Sequence, residues 1–390
     1  MIVSPLSGRG TAIRDALLSH GWEGDACRLA ASGLERSTFH VTELSSDTIE
    51  AMLMVASRLG LELITGDDWI ILAGARSRLG AFARPWVQPE PVRELANAIG
   101  IVMPGEPGSA WTHARGALSL RSPGVVGVIN VTPDSFAGDG RLLGVDSALR
   151  AVDVLLNGGA AVIDIGGEST RPGALPVEPD EELARVIPVL AAIARRHPSL
   201  PLSVDTVRAS TATAALDAGA AIVNDVTAGR HDPAVLALVA ARHAGVVLAH
   251  SRGPLGTLAS YDRSDYAGDV TDGVTRELAA SLASAREAGI ADSAIVLDPG
   301  FGFAKTPAQN FRLLHQLDAV VALGPPVLVG PSRKRFLGEA TGRPIDDRER
   351  ATAAVCALAL DRGARLFRLH DPAASRDAIA IAAALHPGES

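Results

Sequence analysis

The stretch I-D-I-G-G-E-S-T-R-P-G-A, residues 163 to 174, decides how the chain is read. Ala160, Ala161, Val162, Ile163 and Ile165 form the short apolar run that a parallel strand buried on both faces requires. Gly166 and Gly167 end the run, and a polar loop with Glu168, Ser169, Thr170 and Arg171 follows. Ligands of α/β folds sit beyond the carboxyl ends of the strands, so this is the form of an active-site edge. Taken singly, it is equally an ordinary βα turn with a surface arginine. The repetition of the same form seven more times decides between the two.

From Gly124 onward, short apolar strands alternate with Ala/Leu-rich helical segments. Strands are predicted at 125–129, 161–165, 202–204, 221–223, 246–248, 294–297, 327–329 and 366–368. Helices are predicted between them at 147–157, 181–195, 209–218, 233–242, 270–288, 307–322 and 350–361. Eight strand–helix units in roughly 265 residues have the size and rhythm of a (β/α)8 barrel. A doubly wound open sheet is the alternative, but it calls for a glycine fingerprint after its first strand, and none is present.

A polar group stands directly after each strand. In chain order these are Asn130, the 166–171 loop, Asp205 with Thr206, Asn224 with Asp225, and His250 with Ser251 and Arg252. Asp298 follows, then Ser332 with Arg333 and Lys334, and finally Arg368 with His370. In a barrel all eight ends open onto one face, so these groups converge. Asp205, Asn224 and Asp298 suit a flat heterocycle with an amidine-like edge, because a carboxylate facing paired N–H donors makes a bidentate contact. Arg171, Arg368, His370 and Asn130 supply the donors a diphosphate needs. Ser332 and the start of the following helix suit a carboxylate.

The totals narrow the field. A chain of 390 residues with 47% hydrophobic and 21% charged residues is a globular protein, long enough for one large barrel and a small domain. Its net charge of −8 disfavours nucleic acid or an anionic membrane as the main partner. The two cysteines, Cys27 and Cys356, match neither a zinc pattern nor a disulfide framework. With no leader-like start and no membrane-length apolar run, a cytoplasmic location is expected. Only two of the 36 basic residues are lysines, Lys305 and Lys334. An ammonium does what a planar guanidinium cannot in a tight pocket. For Lys334 the neighbouring motif favours function; for Lys305, chance survival and function stay open.

Residues 1 to about 117 read as a separate small α/β module, and all four tryptophans fall there. A helix is expected from about Asp47 to Arg58, capped by Ser45 or Ser46, with Ile49, Met52, Leu53 and Ala56 on one face. A hairpin is expected over 61–73, a further helix over 91–99, and a linker at 103–108.

From about residue 118 to the end the chain resembles dihydropteroate synthase. The resemblance rests on seven motifs in order: G-V-I-N-V-T-P-D-S-F (127–136), D-I-G-G-E-S-T-R-P-G-A (164–174), S-V-D-T (203–206), N-D-V (224–226), D-P-G-F-G-F-A-K-T (298–306), G-P-S-R-K-R-F-L-G (330–338) and R-L-H-D (368–371). It implies a barrel enzyme that joins p-aminobenzoate to a dihydropterin carrying a hydroxymethyl diphosphate, with release of pyrophosphate. It further implies that Asp205, Asn224, Asp298, Lys334 and Arg368 hold the pterin, with Asp205, Asp298, Lys334 and Arg171 central to catalysis. Thr170, Arg171, Pro172, Phe303, Ser332 and Lys334 would shape the p-aminobenzoate pocket. Asn130, Arg171, Arg368 and His370 would grip the diphosphate, and Asn130 would lie beside Mg²⁺. Sulfonamides as inhibitors and a homodimer are implied as well.

Two departures stand out. The family has a Met-His-Met/Asn type of sequence after the fifth strand, whereas this chain has Ala249-His250-Ser251-Arg252, so a smaller or more polar wall of the pterin pocket is expected there. The module 1–117 is extra, and its role is left open. A pterin-dependent methyltransferase shares the barrel but has no use for a diphosphate grip or an S-R-K loop. A non-catalytic pterin binder would not need Arg171, Lys334, Arg368 and His370 together.

Overall fold

The computed structural model describes residues 2–5, 36–75, 78–79, 82, 88–102, 110–131, 141–168 and 177–385. The chain divides into two compact units, the first made chiefly of Met1–Pro107 and the second of Gly108–Val320 with Pro325–Ser390. In the first unit β1 (Ile2–Pro5), β2 (Arg36–Thr42), β3 (Glu62–Thr65) and β4 (Trp69–Ala75) form an antiparallel sheet in the order β1-β2-β4-β3. The expected hairpin is β3 and β4, in register at Thr65 and Ile70.

Helix α1 (Ser46–Leu59) starts where Ser45 Oγ accepts the Thr48 amide at 3.2 Å, and Gly60 ends it in the left-handed conformation. Its buried face is Ala51, Met52, Val55, Ala56 and Leu59. The expectation for Leu53 is corrected, since that side chain is 53% exposed. A helix turns about 100° per residue, so Met52, Val55, Ala56 and Leu59 share a stripe that Leu53 falls outside. Helix α2 (Arg93–Val102) follows a 3₁₀ turn at Glu90–Val92 and so begins two residues later than expected.

The second unit begins, among the described residues, with a hairpin of β5 (Ala110–His113) and β6 (Gly116–Ser119). Eight parallel strands then alternate with helices. The strands are β7 (Gly124–Asn130), β8 (Val162–Gly166), β9 (Leu202–Asp205), β10 (Ile222–Asp225), β11 (Gly245–Ala249), β12 (Ile295–Asp298), β13 (Leu328–Val329) and β14 (Leu366–Leu369). Each matches a predicted strand to within two residues. They form one sheet in the order β12-β11-β10-β9-β8-β7-β14-β13, and a lone parallel bridge between Leu297 and Val327 closes it. The expected (β/α)8 barrel is therefore the fold. The expected helix over 307–322 is two, α8 (Pro307–His315) and α9 (Leu317–Val321), after α3 (Arg141–Asn157), α4 (Pro179–Arg196), α5 (Ala209–Asp217), α6 (Ala234–Ala241) and α7 (Val270–Glu287). Beyond them come α10 (Arg335–Thr341), α11 (Glu349–Asp361) and α12 (Pro372–Ala384).

The β5–β6 hairpin belongs to the barrel by its contacts. Trp111 is 1% exposed and donates its indole N–H to the Ala294 carbonyl at 3.0 Å, just before β12 begins. It joins Val126, Val162, Ile222, Val247, Val296, Leu328 and Leu366 in the core at the amino ends of the strands. The barrel is thus plugged at the end opposite its polar ring. Replacing Trp111 with Ala is expected to lower stability by about 3–5 kcal/mol, as for a buried large-to-small change. Urea unfolding of the two proteins measures it.

Candidate active site

At the carboxyl ends of the barrel strands lies a cavity of about 430 Å³. Of the residues singled out in the sequence, it brings together Asn130, Asp205, Asn224, Asp298, Phe303, Lys305, Ser332, Arg333, Lys334, Arg368 and His370. Thr170, Arg171 and Pro172 lie outside the described residues.

The deepest group is one the sequence reading did not single out. Asp164, in the middle of β8, is completely buried. Its Oδ2 accepts from Arg368 Nε at 2.7 Å and from Asn224 Nδ2 at 3.0 Å. Arg368 reaches on to Asp205, donating from Nη2 to Oδ2 at 2.7 Å. One guanidinium thus ties three strands, and although burial acts to lower its pKa, the Asp164 and Asp205 carboxylates hold it above the ordinary arginine range. Asp164 Oδ1 accepts no hydrogen bond among the described residues, which for a buried oxygen calls for a partner. The signal was available: an aspartate inside a strand whose other residues are all apolar or glycine.

Asp298 Oδ1 accepts the Gly300 amide at 2.7 Å, which fixes the turn after β12, and burial raises this carboxyl above its ordinary value. Burial also pushes Asp205 up to about 7, against the opposing pull of Arg368. Lys334 moves the other way: burial lowers its ammonium to about 8, while Asp298 acts to raise it. Its Nζ lies 3.9 Å from the centre of the Phe303 ring, a cation–π contact, and its stem packs over Gly302. On the opposite wall His370 Nδ1 meets Ser332 Oγ at 3.0 Å, and its Nε2 lies 3.5 Å from Asn130 Nδ2.

Among the described residues no cluster of His, Cys, Asp or Glu is placed to hold a metal. The donor set beside the cavity mouth is instead a neutral amide, Asn130. That fits Mg²⁺, which keeps several waters and is commonly held through substrate phosphates with few protein oxygens.

The expected wall at Ala249–Arg252 is corrected. None of these residues lines the cavity. His250 turns behind it, with Nε2 3.0 Å from Glu277 Oε2. Ser251 Oγ donates to the Val226 carbonyl at 2.6 Å and accepts from Arg230. Arg252 pairs with Glu277 and lies over the Tyr266 ring. The polar sequence is absorbed by partners on α7 and in the loops around it, pairings that only the tertiary fold creates. Lys305, the other lysine, is fully buried against this same group rather than left at the surface by chance.

A second set of residues also went unnoticed in the sequence. Arg208 Nη1 donates to Glu168 and to Glu182, each at 2.8 Å, and its Nη2 donates to the Val177 carbonyl at 2.9 Å. Glu168 and Val177 flank the segment 169–176, so this one side chain pins both of its ends.

The family model of pterin binding enzymes matches residues 126–370. Dihydropteroate synthase of Mycobacterium leprae is 44% identical over 278 residues, which span 70% of this chain and 96% of that protein. Dihydropteroate synthase of Xanthomonas albilineans, solved with 4-aminobenzoic acid, superposes with a TM-score of 0.66 at 42% identity, over 72% of this chain and 99% of its own. The Yersinia pestis enzyme, solved with a sulfonamide drug complex, gives 0.65 at 37% identity over 71% and 98%. A polar ring at the open end of a barrel and a match across nearly all of that barrel define a pterin-binding barrel enzyme. Within that class the chain belongs to the dihydropteroate synthase family, whose members are transferases.

The shift at Asp205 has a measurable consequence. Folded, the group keeps its proton up to about 7; unfolded, it loses it near the ordinary 3.8. Unfolding between those values releases a proton, so this group makes stability fall as pH rises through the window. Asp205→Asn is expected to flatten that part of the profile. Calorimetric Tm values of both proteins across pH 4 to 8, about one unit apart, test it.

Proposed function

We propose that the cavity joins p-aminobenzoate to (7,8-dihydropterin-6-yl)methyl diphosphate, forming 7,8-dihydropteroate and pyrophosphate. The observation that carries this reading is the set of Asp205, Asn224, Asp298, Lys334 and Arg368 lining one cavity, with the buried Asp164 tying Asn224 to Arg368. The carboxylates and the Asn224 amide offer the acceptors and donors that the N–H edge of a pterin requires, and Arg368 and Lys334 balance their charge. The same carboxylates favour positive charge on the pterin as the exocyclic C–O bond breaks and its electron pair leaves with the diphosphate. The arylamine nitrogen then forms the new C–N bond and loses a proton, so no protein nucleophile is needed.

Asn130, Arg171, Arg368 and His370 hold the diphosphate in this reading. Arg368 already serves two carboxylates, so it joins pterin and diphosphate sites through one charge. Asn130 would hold Mg²⁺ together with the substrate's phosphates; the ion supplies charge neutralisation to the leaving pyrophosphate. Thr170, Arg171, Pro172, Phe303, Ser332 and Lys334 shape the p-aminobenzoate pocket, and sulfonamides would compete there. Asp205, Asp298, Lys334 and Arg171 carry the chemistry. A cytoplasmic homodimer completes the reading. Among the described residues no helix is long and apolar enough to cross a membrane. Residues 1–107 are proposed as a separate module, and the catalytic domain takes in the β5–β6 hairpin together with residues 118–390.

Pyrophosphate release from the dihydropterin diphosphate with Mg²⁺ tests the reading. Release that depends on p-aminobenzoate, with dihydropteroate formed, is expected; tight pterin binding without release would contradict it. Lys334→Arg is expected to lower kcat/KM roughly ten- to a hundredfold, the loss attached to one charged hydrogen bond. Steady-state kinetics of the variant measure it.

A further inference from the structure

We propose that Lys305 is a positioning residue for the arylamine side of the site and acts through Phe303. The inference rests on the reading of Phe303 as a wall of the p-aminobenzoate pocket.

Lys305 has no solvent exposure. An ammonium has three protons, and three acceptors surround this one. Nζ donates to His250 Nδ1 at 3.0 Å, to the Gly300 carbonyl at 2.9 Å and to the Phe303 carbonyl at 3.1 Å. For His250 to accept at Nδ1, its ring proton must sit on Nε2, where Glu277 Oε2 lies 3.0 Å away and takes it. Burial and the neighbouring Lys305 charge lower the imidazole to about 3, so it stays neutral and keeps that tautomer. Glu277, on α7, thereby sets which nitrogen faces the lysine.

The two carbonyls belong to the turn that presents Phe303 to the cavity. Ala304, between Phe303 and Lys305, lies in the left-handed region at φ 46°, so the chain turns sharply there, and both of its neighbours line the cavity. Phe303 packs on Val207, Val226 and Leu258, and the Lys334 ammonium lies 3.9 Å from its ring centre. The ring therefore meets both an apolar floor and a cation. Among the described residues, the charged group that holds its backbone carbonyl is Lys305. A longer, planar guanidinium cannot point three donors at these three atoms, which accounts for a lysine here in a chain otherwise built with arginine.

The test is a double-mutant cycle on Lys305→Met and Phe303→Ala, read as kcat/KM for p-aminobenzoate at saturating dihydropterin diphosphate and Mg²⁺. Each single change is expected to lower kcat/KM roughly tenfold or more, mainly through KM, as misplacement of a positioning group does. The double variant is expected to lose about as much as one single variant, because both remove the same wall. Losses that multiply in the double variant overturn the inference, since a general weakening of the fold acts independently of Phe303. A raised KM in Phe303→Ala with a native KM in Lys305→Met also overturns it, and leaves the pocket reading intact. An unchanged KM in Phe303→Ala overturns the pocket reading and this inference with it. Should Lys305→Met fail to fold, His250→Leu takes its place in the cycle. It removes one acceptor while keeping the lysine, and the same outcomes apply.

Discussion

A carboxylate without solvent in the middle of a barrel has to be neutralised, and Asp164 is the group around which this one is arranged. Burying an ion is expensive unless an opposite charge and hydrogen bonds replace its water. Here the replacement comes from β14, through Arg368, and from β10, through Asn224. Those partners start on distant stretches of sequence and meet because β10 and β14 each lie two strands from β8 in the curved sheet. The requirement to pair one charge therefore ties the fold and the cavity together. It also keeps Arg368 stretched across the floor, where it serves Asp205 as well.

The remaining cations divide the cavity into zones. Lys334 stands beside Asp298 and over Phe303, where a flat heterocycle and an aromatic ring would adjoin each other. His370, Ser332 and Asn130 make a hydrogen-bonding wall. Charge of one sign is thus never left alone inside. Burial pushes the Asp205 carboxyl up to about 7 and the Lys334 ammonium down to about 8, so both stand close to neutral pH.

Much of this was legible in the sequence because strand ends announce themselves. A buried parallel strand tolerates few polar residues, so the first polar one after an apolar run marks the carboxyl end, and Asn130, Asp205, Asn224 and Asp298 were found that way. The same logic hid Asp164, which sits inside the run and faces the barrel interior. It also misjudged Ala249–Arg252, whose polar side chains turn away from the cavity toward Glu277 and Arg230, partners fixed only by tertiary structure. Leu53 failed for a different reason. Several apolar residues crowd α1, and periodicity alone did not choose between neighbouring stripes. Lys305 gave a compositional signal, but its acceptors include two backbone carbonyls, and carbonyls leave no mark in a sequence.

The barrel is not equally strong all the way round. β11 and β12 share four residue pairs, whereas β12 meets the β13 side at a single bridge, Leu297 to Val327. That seam runs up to the cavity between Asp298 on one edge and Ser332 and Lys334 on the other. An opening at that seam would part Asp298 from Ser332 and Lys334. Anything bound across the gap supplies the cross-links that the backbone omits. Occupancy and mechanical closure of the barrel are then one equilibrium, and a filled site works as the missing rung of the ladder.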